Sequence, residues 1–167
     1  VTVSERRAGS DQLIRLTLGS TLGDGIDGAW WPYTAAMARE LPHLVDVLKA
    51  RLGEVVDIAV NWSPLEGTAD FDTLPARGIA SPGQKIRHKR VITVTGKDAS
   101  ANLLVVPPRT SRALAVMVLR HAAGLPIAWT HQDSSVCRTA AEIVRVARLE
   151  CAERAGKSAD IVSAPAD

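Results

Sequence analysis

The sequence predicts an α+β domain, a small mostly antiparallel sheet with helices packed on one face, plus a C-terminal helix. Three observations carry this. Short alternating apolar runs flank a hairpin-length connector, several longer segments repeat apolar residues at three- and four-residue steps, and no regular βαβ alternation runs through the chain. With 167 residues, 46% hydrophobic and 23% charged, the chain has the length and composition of one globular domain with a sizeable core. Two cysteines are too few for a disulfide scaffold, and no apolar run reaches the ~18–20 residues a bilayer span needs. The first residues lack the apolar segment of a secretory signal, so a reduced, cytoplasmic protein without a membrane span is expected.

In chain order, residues 1–12 read as a flexible arm and 13–18 as a strand running into the glycine-rich stretch 19–28. Pro32 suits the first turn of a helix, in which Met37, Leu41, Leu44, Val45, Leu48 and Leu52 form an apolar stripe ending at Gly53. Pro42 is expected to divide that helix in two. Residues 55–62 alternate, which predicts a strand with Val56, Ile58, Val60 and Trp62 on its buried face. Strands at 85–95 and 101–106 follow, antiparallel across the short connector 96–100. Pro107-Pro108 stops the second of them, Thr110 or Ser111 caps a helix ending at Gly124, and 125–132 is a connector. A last helix, about 135–155, carries Val136, Ala140, Ile143, Val144, Ala147 and Cys151 on one stripe, followed by a disordered tail over 156–167. The α+β domain is therefore bounded at 13–124, with connector and C-terminal helix over 125–155.

Charge is segregated along the chain. Residues 22–76 hold nine acids against Arg39, Lys49 and Arg51, whereas 77–97 hold six bases and no acid. Lys85, Arg87 and Lys89 recur at every second residue, so an extended strand sets them on one face, with Arg90 on the other. Such a row can neutralise phosphates of a nucleic acid; equally, Lys and Arg protect an edge strand from aggregation. Gly23-Asp24-Gly25-Ile26-Asp27-Gly28 matches a dinucleotide-loop pattern, yet its two aspartates oppose a bound phosphate and no helix follows directly. Trp30-Trp31 reads either as an aromatic floor for a ligand or, preferably, as two rings closing the end of the sheet. Because Trp31 precedes Pro32, Trp30 is expected to be the more buried ring and Trp31 the more exposed. His43, His88, His121, His131, Cys137 and Cys151 have no metal-site spacing, no nucleophile signature is present, and the acids around Asp70-Phe71-Asp72 read as solvated.

The ordered motifs Asp27-Gly28-Ala29-Trp30-Trp31-Pro32, Glu40-Leu41-Pro42, Ile58-Ala59-Val60-Asn61 and Leu103-Leu104-Val105-Val106-Pro107-Pro108 resemble an actinobacterial family of uncharacterised domains. The resemblance spans roughly residues 13–123. It implies an actinobacterial origin and one small α+β domain, and it transfers no activity.

The expectation for function is a non-enzymatic binding or regulatory module without a cofactor. Its partner would be nucleic acid or a protein, engaged through Lys85, Arg87, Lys89 and Arg90 or through Trp30 and Trp31. The alternative is a small-ligand protein or enzyme with its site near the glycine-rich loop and the Trp pair. The long apolar stripe of the last helix additionally suggests association with a second copy.

Overall fold

Consecutive residues of a strand point to opposite faces, and Leu103 and Leu104 are both fully buried, so the sheet must be covered on both sides. The computed structural model, which describes residues 14–23, 25–62, 89–127 and 134–162, shows how. Its elements are β1 (Leu16–Leu18), β2 (Gly28–Trp30), α1 (Met37–Leu52), β3 (Val55–Val60), β4 (Val91–Gly96), β5 (Ser100–Val105), α2 (Arg112–Ala122) and α3 (Ser135–Val162). The strands form one sheet in the order β1-β2-β5-β4-β3. Every pairing is antiparallel except β2 with β5.

The α+β class and the mostly antiparallel sheet are as the sequence predicts, but the helices divide between the two faces. Leu44, Leu48 and Leu52 of α1 meet Trp30, Ile92, Val94, Ala101, Leu103 and Val105 on one side. On the other, Leu114, Ala115, Val118 and Ala122 of α2 and Ala140, Ile143, Val144 and Ala147 of α3 meet Ala29, Trp31, Val91, Leu104 and Val106. A single covered face would have left one of these apolar rows in water. The stripe of α3, read from sequence as an association surface, is thus occupied within the chain by α2. The helix also continues to Val162, beyond the expected end at residue 155. Among the described residues no helix is long and apolar enough to cross a membrane.

Helix α1 is continuous through Pro42 instead of broken there. Pro42 lies early in the helix, where the missing N–H withdraws a bond from only one first-turn carbonyl. The segment before the helix is held by Glu40, whose carboxylate accepts from Tyr33 N (2.9 Å), Thr34 N (2.8 Å) and Thr34 Oγ1 (3.1 Å). At the other end Gly53 takes a positive φ of 74°, as its predicted place after the helix requires. The β4–β5 turn then docks on this end, with Asp98 N and Ala99 N both donating to Leu52 O. Ser111 caps α2 through Leu114 N, and Gly124 beyond it has φ +66°.

The glycine-rich stretch links β1 to β2, so it joins two antiparallel strands and opens no helix. The buried Asp27 carboxylate accepts from Gly23 N (2.8 Å) and from Asn102 N (2.8 Å), and Asn102 Nδ2 donates to Gly25 O (2.9 Å). An amide that a phosphate would need is therefore bonded to an internal anion. A Cβ at Gly28 would overlap the Thr17 carbonyl oxygen, so only glycine lets β1 and β2 pair.

Trp30 is 2% exposed and Trp31 8% exposed. The order of burial is as expected, but Trp31 is not an exposed ring. Being adjacent on an extended backbone, the two indoles enter opposite cores. Alanine at either position should therefore cost several kcal/mol, about the 3–5 typical of large aromatic truncations, read as a lowered urea midpoint. A large loss at one position alone would contradict this packing.

Candidate functional site

A strand at the rim of a sheet has one row of backbone N–H and C=O groups without a sheet partner, and this sheet has two rims of different character. The β1 rim is three residues long and fastened down. Thr17 Oγ1 donates to Leu119 O (2.6 Å), Trp31 N donates to Arg15 O (2.8 Å), and Arg51 donates to Gly19 O (3.0 Å) just beyond the strand. Arg15 itself lies 3.5 Å from the Trp31 ring centroid and 3.9 Å from that of Tyr33, while its guanidinium donates to the Trp31 and Pro32 carbonyls.

The β3 rim is six residues long, reading Val-Val-Asp-Ile-Ala-Val, with one charge, no Lys and no Pro. Its pairing with β4 matches Asp57 to Thr95, Ile58 to Val94, Ala59 to Thr93 and Val60 to Ile92. The direction of the backbone groups follows from neighbouring bonds. Asn61 N donates to Val91 O, and Val105 N donates to Arg90 O, so odd residues of β4 face β3 and even ones face β5. Ala59 and Asn61 accordingly bond inward, and Ile58 and Val60 turn their N–H and C=O outward.

Side chains on this strand depart from the sequence expectation. The register slips by one between Val55 and Asp57, a β-bulge. Val55, Ile58 and Trp62 pack against the α1-side core. Val56, carried out at the bulge, is 59% exposed, and Val60, near the strand end, is 49% exposed. Alternation alone had placed both valines in the core. The missing information is the bulge and the rim position, neither of which has a signal in the sequence.

The residues singled out by sequence are placed as follows. Lys85 and Arg87 lie outside the described residues. Lys89, expected on an open cationic row, is instead only 8% exposed. Its N–H donates to Glu150 Oε2 of α3 at 2.8 Å. Burial pushes its ammonium below the usual lysine range, and Glu150 partly offsets that. Arg90 lies over the Trp62 ring, 5.4 Å from its centroid. Asn61 bridges the start of β4, donating to Lys89 O and accepting from Val91 N, both at 2.8 Å. Trp30 and Trp31 are core. Of the residues singled out by sequence, Lys89, Trp30 and Trp31 are thus buried, and among the described residues β3 presents an apolar strand edge that the sequence analysis did not single out.

Fold and site together define a three-layer α+β domain whose sheet, among the described residues, has one short, fastened edge and one edge with backbone groups of Ile58 and Val60 turned outward. The chain belongs to a family of unknown function, DUF5994, whose family model matches residues 15–122. No curated protein and no solved structure matches it. The matched region takes in the whole sheet, α1 and α2, and leaves α3 outside.

The described residues hold no group of three or more metal-ligating side chains, but α2 and α3 bring one unforeseen pair together. His121 Nε2 and Cys137 Sγ are hydrogen-bonded at 3.3 Å, sixteen residues apart in sequence. Burial lowers the imidazole pKa, the cationic Arg148 lowers it further, and the Cys137 backbone opposes both. A histidine held below its unfolded value favours folding fully above that value, and this contribution fades as pH falls through it, because the unfolded chain then binds more protons. Between about pH 7.5 and about pH 5.5 the urea midpoint should therefore drop, and His121→Gln should drop less. An identical drop in both proteins would remove His121 as a source of acid sensitivity.

Proposed function

We propose that this chain is a non-enzymatic interaction module that takes an extended protein segment along β3 by strand addition. The observation that carries the reading is the six-residue rim with outward-facing backbone at Ile58 and Val60, flanked by exposed Val56 and Val60. An edge of high β-propensity and low charge is normally shortened, covered or given Lys or Pro, as the β1 rim is shortened and fastened. Main-chain bonds supply affinity in such a complex, and the alternate side chains supply selectivity. Protein is favoured over nucleic acid as the partner, because Lys89 of the basic stretch is buried, its backbone N–H bonded to Glu150, and the rim is acidic at Asp57.

The test is selection of short displayed peptides against the full chain, followed by amide exchange with a selected peptide bound. Peptides with alternating β-branched residues should slow exchange at Ile58 and Val60, and Val60→Lys should weaken binding about tenfold. Bound peptides that leave those two amides unchanged would overturn the reading.

A further inference from the structure

Resting on that reading, we propose that the segment which β3 accepts is basic: it runs antiparallel to the strand and carries a Lys or Arg directly opposite Asp57, the residue that sets the selectivity of this edge. Charge is the first argument. Asp57 is the one charged residue of β3, it is exposed, and it has no ion-pair partner among the described residues. The end of the strand at which it stands is acidic. Glu54 precedes β3 and pairs with Lys97 at 2.5 Å, and the Asp98 carboxylate lies so near Gly53 that a Cβ there would meet it at 2.5 Å. Among the described residues this end therefore gathers the carboxylates of Glu54, Asp57 and Asp98 around one ammonium, that of Lys97. A cation on an added strand is favoured opposite such a group, and an acid is disfavoured.

The second argument is where Asp57 stands relative to the outward hydrogen bonds. Ile58 and Val60 turn their N–H and C=O outward, so each exchanges hydrogen bonds with the residue opposite it on an antiparallel strand, the pairing that is the more stable per residue. Asp57 is paired inward with Thr95 of β4. Toward an added strand it forms a non-hydrogen-bonded pair, the kind in which opposed side chains lie closer. Read from its N-terminus, the added strand faces Val60, Ala59, Ile58 and Asp57 in turn. Its first and third residues share the sheet face of Ile58, which packs in the α1-side core, and of the half-exposed Val60, so apolar side chains suit both places. Its fourth residue shares the other face with Asp57 and is the cation. Beyond Asp57 the β-bulge breaks the register, so the cation closes a signature of the form apolar, any, apolar, basic.

The experiment titrates capped synthetic peptides into the full chain and follows amide exchange. The probe is Ser-Val-Thr-Val-Lys-Ser, beside versions with Gln or Glu in place of the Lys and one with the reversed order Lys-Val-Thr-Val, which suits only a parallel strand. The lysine peptide should slow exchange at Ile58 and Val60, binding about threefold more tightly than the Gln peptide and about tenfold more tightly than the Glu peptide, with margins that shrink as salt is added. Asp57→Asn should remove the preference for Lys over Gln, and Asp57→Lys should reverse the order so that the Glu peptide binds best. Asp57 is exposed, and thermal unfolding checks that each variant folds. Tighter binding of the reversed peptide would overturn the antiparallel register. Equal binding of the Lys, Gln and Glu peptides with the Ile58 and Val60 amides protected would overturn charge selection while leaving strand capture intact. So would an Asp57→Asn chain that takes all of them more tightly, since Asp57 is then a guard of the edge. Failure of every peptide, synthetic or selected, to protect those two amides overturns strand capture and this inference together.

Discussion

Both cores of this protein close on a strand of three residues. β2 is pinned between β1 and β5, and its two indoles leave on opposite sides, Trp30 toward α1 and Trp31 toward α2 and α3. That arrangement needs the strand to lie very close to β1, and Gly28 permits it because any Cβ there would overlap the Thr17 carbonyl. It also needs the chain to enter and leave the strand in a fixed direction. Asp27 sets the entry by accepting from two backbone amides, one in the preceding loop and one on β5. Arg15 and Glu40 set the exit, the first by bonding the Trp31 and Pro32 carbonyls and the second by bonding the next two amides.

The conspicuous residues of this region are therefore architectural. An Asp-Gly-Ala-Trp-Trp-Pro run looks like a site when read alone, since large aromatics beside glycine and aspartate are common in binding loops. Here Asp27 and Gly28 hold β2 in place, and both rings are buried, one in each core. At Lys89, likewise, alternation puts the residue on an open face, whereas tertiary packing buries it and brings Glu150 of α3 to its backbone N–H. Among the described residues, backbone groups turned outward lie instead on a plain apolar strand at the far rim, whose composition differs little from that of a core strand.

Much of the scaffold was legible because its signals are local. The hairpin of β4 and β5, the stripe of α1, the Ser111 cap and the two helix-ending glycines depend on contacts a few residues apart, which leave a period or a turn residue in the sequence. β2 was not legible, because three residues carry no period and its strand character comes from neighbours on both sides. The continuity of α1 through Pro42 was missed for a related reason, since the packing of Leu44, Leu48 and Leu52 outweighs one absent hydrogen bond.

The sequence by itself determined the α+β class, the order of most elements and which residues are apolar enough to be core, because burial of periodic apolar side chains is the dominant free-energy gain and its pattern is written residue by residue. Tertiary structure alone decided which face each helix covers, which strands stand at the rims, and that a bulge carries Val56 out and leaves Val60 beside it at the edge. These are long-range choices. They depend on which segments meet across the sheet, and a chain read in one dimension contains the residues that meet without the record of their meeting.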